Sequence, residues 1–140
     1  MYDESALEGA LFSWGIMRDV RITIPIPEKI SLNKIYSGIH FRTRSRHKDA
    51  YRLAVQVMRP KPYTGPFPAS CHYHFRLNGS RLDVSNHAYM VKMVEDGLVA
   101  CGVLPDDDQK YIASIVVTTE YVPKGKGQNE VVVTLSQATE

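Results

Sequence analysis

Two cysteines, Cys71 and Cys101, are all this 140-residue chain contains. They lack the C-x-x-C spacing of a zinc ribbon or redox motif, and nothing marks the chain as secreted, so both are expected reduced and buried. No apolar stretch approaches the length of a bilayer span. No basic stretch followed by an apolar run opens the chain, so a cytosolic protein is expected. Internal repeats and low-complexity runs are also missing, which excludes solenoids and arrays. The net charge of +2 is too small to argue a partner. One domain of ordinary composition remains, 44% apolar and 23% charged, large enough to bury a core.

The charge is unevenly spread. From Lys29 to Lys61 nine Lys or Arg stand against one acid, Asp49, whereas residues 1–20 carry four acids and one Arg. A positive field confined to one segment suits a polyanionic partner. Arg42, Arg44, Arg46, His47, Lys48 and Arg52 are the candidate phosphate contacts, with Lys34 and Arg81 beside them and Lys124 and Lys126 as a second set. Tyr36, His40 and Phe41 could pack on sugars or opened bases.

Along the chain, residues 1–19 read as an amphipathic arm, with Leu7, Ala10, Leu11 and Trp14 on one side. Val20–Pro27 reads as a strand, Ser31–Gly38 as a loop, and Arg44–Arg59 as a helix stopped by Pro60. Ala69–Leu77 alternates like a strand, with His72, His74 and Arg76 on one face. A helix is expected from Val84 or Ser85, with Ser85 as N-cap, to Ala100, stopped by Gly102. Strands follow at Ile112–Val122 and Glu130–Leu135. This order implies α+β, a single domain over residues 20–140 with a mixed sheet of four to five strands and two main helices packed on it.

The chemistry gathers between Arg81 and Gln109, R-L-D-V-S-N-H-A-Y-M-V-K-M-V-E-D-G-L-V-A-C-G-V-L-P-D-D-D-Q. At 100° per residue, Ser85, Tyr89, Lys92 and Asp96 form one polar stripe, opposite Met90, Val91, Met93, Val94, Gly97 and Leu98. By spacing alone this is a solvated helix face followed by an acidic turn at Asp106, Asp107 and Asp108. His72, His74 and His87 allow a zinc site to be sketched, but no fourth spaced ligand accompanies them.

D-V-S-N, the lysine, E-D-G-L and G-V-L-P-D-D-D-Q together resemble the RusA-type Holliday-junction resolvases, small structure-selective endonucleases of phage descent. That family shows R-x-x-D-x-D-N, a lysine, an aspartate-leucine pair and then G-V-(I/L)-x-D-D-x-Q. The upstream segment S-L-N-K-I-Y-S-G-I-H-F-R-T-R, Ser31 to Arg44, is similar to its early region, and the matches keep their order from about Ile24 onward.

The resemblance implies a RusA-like fold, Mg²⁺ (or Mn²⁺) as cofactor, and cutting of branched DNA, four-way junctions above all, in recombination and repair. It also implies a homodimer. Asp83, Lys92 and Asp107 become the catalytic residues, with Asp83, Asp106, Asp107 and Asp96 as metal ligands. Hard Mg²⁺ is content with two or three carboxylates and several waters. Two departures stand out. Ser85 occupies the family's second aspartate, and the interval from Asn86 to Lys92 is about three residues longer than usual, a shift of roughly 4.5 Å along a helix. Asp96, Glu95 or Asn86 could replace the missing ligand. Alternatively, the chain is a non-catalytic branched-DNA binder that lost metal competence at Ser85. A metal-dependent phosphohydrolase of small substrates is more distant, because it leaves the basic segment unexplained.

Overall fold

The computed structural model describes residues 19–79, 81–125 and 127–138; the expected amphipathic arm, apart from Asp19, and Lys126 lie outside them. The described elements run β1 (Val20–Pro25), α1 (Leu32–Tyr36), α2 (Phe41–Gln56), β2 (Ala69–Leu77), a 3-10 turn (Val84–His87), α3 (Ala88–Ala100), β3 (Ile112–Tyr121) and β4 (Glu130–Gln137). The architecture is α+β, with four strands in one mixed sheet, ordered β1-β4-β2-β3.

Strand alternation builds one buried face. Ile22 and Ile24 of β1 lie opposite Val133 and Val131 of β4, which in turn face Tyr73 and Phe75 of β2. All six are buried and face the helices. β2 and β3 are parallel, so the chain must return across the sheet between them, and α3 makes that crossing. The opposite face of β2 carries Ser70, His72, His74 and Arg76, none of them buried.

α3 is buried on more sides than its stripe predicts. Besides the apolar residues, Tyr89 and Glu95 are buried, because α2 packs on the flank that the wheel left polar. The two helices meet at Gly97, where an added Cβ would lie 3.0 Å from Val55 Cγ2, 3.4 Å from Arg52 Cα and 3.5 Å from the Tyr51 carbonyl oxygen. Glycine is there to admit a neighbouring backbone. Gly97→Val is therefore expected to cost about 2–3 kcal/mol by overpacking, measured as a lower midpoint of chemical unfolding with an unchanged slope.

Element boundaries differ from expectation where capping is unusual. α2 starts at Phe41 rather than Arg44 because His40 Nδ1 accepts from the Arg42 amide at 3.1 Å. Within the expected loop Ser31–Gly38 lies α1, capped by Ser31 and followed by Gly38 at φ 100°. Ser85 is not a helix cap; it sits inside the 3-10 turn, its carbonyl accepting from the Ala88 amide. Gly102, at φ 79°, ends α3 as expected. Among the described residues no helix is long and apolar enough to cross a membrane.

Candidate functional site

Lys92 is the hub. Its Nζ donates to Asp107 Oδ2 at 2.7 Å and stands 3.1 Å from Asp96 Oδ1 and 3.6 Å from Glu95 Oε1. Asp96 and Glu95 follow Lys92 by four and three residues on α3, one turn away. Asp107 comes from the loop beyond Gly102, which doubles back along the helix. Its neighbours secure that loop: Asp106 Oδ1 accepts from the Asp107 amide at 2.7 Å and Asp108 Oδ1 from the Lys110 amide at 2.8 Å. Of three consecutive acids, two shape the turn and one reaches the lysine.

The electrostatics follow from these contacts. The Asp107 hydrogen bond, reinforced by Asp96, holds the Lys92 ammonium well above its usual pKa, and Lys92 in turn holds Asp107 below the usual carboxylate range. Burial pushes Glu95 up, against the pull of Lys92. Beneath the cluster the Tyr73 hydroxyl is fully buried, without a hydrogen-bond partner among the described residues. Its pKa is raised first by burial and then by Cys71, Glu95, Asp107 and Asp96. Cys71, also buried, is pushed up to about 12, so it is an inert core thiol rather than a nucleophile, whereas Cys101, expected buried, is partly exposed at the end of α3.

Asp83 is not brought into this cluster. It is exposed at the head of the 3-10 turn and makes no side-chain cap bond. Nine residues of helical rise separate it from Lys92, roughly 13 Å. Asp96 and Glu95 therefore stand beside Asp107 where the motif led us to expect Asp83. Glu95 in particular was visible in the sequence only as one alternative among three, since its burial depends on α2.

The basic segment adjoins the cluster. Arg44, Lys48 and Arg52 follow i, i+4, i+8 along the side of α2 next to α3, and Lys48 Nζ lies 3.9 Å from Asp96 Oδ2. Arg44 interacts with the Tyr89 hydroxyl. Arg42 and Arg46 project from another side of α2 by the same geometry, with Arg42 over the Phe41 ring at 5.9 Å. Lys34 is exposed on α1, and Arg81 stacks on Tyr121 at 4.7 Å, near the far end of β3. His47 does not belong to this surface: it is buried, with Nδ1 3.0 Å from the Tyr89 hydroxyl and Nε2 3.6 Å from Glu28 Oε1, beyond hydrogen-bond distance.

The other histidines are split by the sheet. His72 and His74 bond Thr118 at 2.7 and 2.6 Å on the open face, and His74 also bonds Glu120 at 2.9 Å. His87 is buried, bonding the Asp83 carbonyl and Thr119. They form no common site.

As a donor set, Asp107, Asp96 and Glu95 offer carboxylate oxygens that already converge on one cation, the ammonium of Lys92, which is the chemistry hard divalent ions take. Among the described residues no group of three or more His, Cys, Asp or Glu side chains is arranged to hold a metal ion, so this set would have to exchange its lysine contacts for metal contacts. No protein-family model and no curated protein matches this chain.

Proposed function

We infer that the protein is a structure-selective endodeoxyribonuclease acting on branched DNA such as four-way junctions, with Mg²⁺ as cofactor and two copies acting together. One observation carries this reading: carboxylates from α3 and from the 102–111 loop converge on Lys92, next to the cationic ridge of α2. Asp107 and Asp96, joined by Glu95, would hold the ion. When bound it supplies a water of lowered pKa and charge stabilisation at a phosphate. Arg44, Lys48 and Arg52 grip the backbone beside the scissile position without reading bases. Lys92, released from its carboxylates, places its ammonium against the developing negative charge. Two incisions on a two-fold substrate require two sites related by symmetry.

A second reading is favoured by a specific observation. Lys92 is fully engaged by three acids and Asp83 lies apart, as expected of a branched-DNA binder that no longer cuts.

Purified protein mixed with a synthetic four-way junction decides between them. Products in Mg²⁺ are the expected result; binding with no product at any Mg²⁺ or Mn²⁺ level leaves the binder. In either case, Arg44→Ala with Lys48→Ala should lower affinity and flatten the salt dependence of log K by nearly 2, about 0.9 for each phosphate no longer neutralised. Unchanged slopes would show that α2 does not face DNA.

A further inference from the structure

We propose that β3 pairs with β3 of a second copy, joining the two sheets into one across a two-fold axis. Among the described residues β3 is the outer strand, bonded on one side only, to β2. Of ten residues only Ile112 is buried, and Ala113, Ser114, Ile115 and Val116 are exposed in succession. Ile115 and Val116 are 45% and 48% exposed, on opposite faces of the strand. Apolar side chains open on both faces mark a free edge rather than a face awaiting a helix.

Natural edge strands are blunted by lysine, proline, bulges or brevity. The other edge, β1, follows that rule: it has six residues, ends on Pro25 and carries Arg21. β3 does not. From Ile112 to Thr119 it has no charge, proline or glycine, and the one register irregularity against β2 lies at its very start.

An edge can pair with its own copy only antiparallel, so that the two strands are related by a two-fold axis. Charge selects the register. Glu120 is the only charged residue of β3, and Lys110 lies just ahead of the strand. An axis at Ile115 sets Ile115 against itself and Ser114 against Val116. It also carries Lys110 of each copy toward Glu120 of the other, whereas an axis at Glu120 would oppose like charges. This deepens the two-copy arrangement proposed above but rests on the exposure, composition and charge of β3, not on cutting.

The test is sedimentation of the full chain without DNA or metal, so its outcome is independent of cutting. Wild type is expected to dimerise with rising concentration, and Ile115→Lys with Val116→Lys, two solvent-facing changes, to stay monomeric with an unchanged circular dichroism spectrum. Should that variant unfold, Ile115→Cys is the measurement. A Cα separation of about 4.5–5.5 Å across the axis lets it oxidise to a covalent dimer. Because Cys101 is partly exposed while Cys71 is buried, the variant is made together with Cys101→Ser, and Cys101→Ser alone is the control that does not crosslink. A monomeric wild type, a dimer indifferent to the lysines, or no crosslink at Ile115→Cys would overturn the pairing.

Discussion

Asp107→Asn is expected to reduce junction cutting by on the order of 10²–10³-fold, while Asp83→Asn leaves it within a few-fold of wild type. The contrast separates two assignments that the sequence alone left merged. Asp107 is the carboxylate nearest the Lys92 ammonium, at 2.7 Å, and comes from a different element than Asp96. Removing its charge turns the ion pair that ties the 102–111 loop to α3 into, at most, a weaker bond to a neutral amide oxygen. Asp83 stands roughly 13 Å from Lys92 along the helical rise, exposed and without a bond to the cluster. Single-turnover cutting of a labelled junction measures both. Equal losses would place the ion near Asp83 and refute the cluster as the reacting centre.

Lys92→Met should show the second large effect, in cutting and in pH-dependent stability together. Cutting is expected to fall by a comparable factor, because among the described residues no other cation bonds Asp107. The stability argument has a definite sign. Lys92 holds the folded Asp107 carboxyl below its ordinary 3.8, so their pairing stabilises the fold above pH 3.8, and that stabilisation disappears as pH falls through the folded value. The variant lacks the contribution. Its melting temperature should lie furthest below wild type at neutral pH, and the gap should close on acidification. Glu95 adds to the trend: burial already raises its pKa, and without the nearby ammonium its charge costs more at neutral pH. Thermal unfolding of both proteins at several pH values reads the gap. A gap that widens toward acid would mean that Lys92 stabilises the fold by something other than its carboxylates.

Much of the fold was legible because periodicity reports burial. The alternation in Ala69–Leu77 matches β2 residue for residue, and the apolar side of the central helix does face the core. What escaped was set by partners distant in sequence. Tyr89 reads as polar surface on a helical wheel, yet α2 covers it and His47 bonds its hydroxyl. A histidine cap opens α2, outside the Ser, Thr, Asp and Asn signals that mark most helix starts. Within the candidate site, the pairing of Asp96 with Lys92 was readable from an i, i+4 interval. Meeting Asp107 needed the course of a loop, and the standing apart of Asp83 needed the rise of the 3-10 turn and α3 together.

The bare meeting point at Gly97 has a mechanical consequence. With no side chain to act as a cushion, α2 and α3 sit like the jaws of a caliper closed on one gauge, and the reach from the cationic ridge to Lys92 is left to the long Arg and Lys side chains. On the proposed reading, any misfit beyond their reach falls on the DNA. Stiff duplex would resist it, and a branch point, already loosened, would yield.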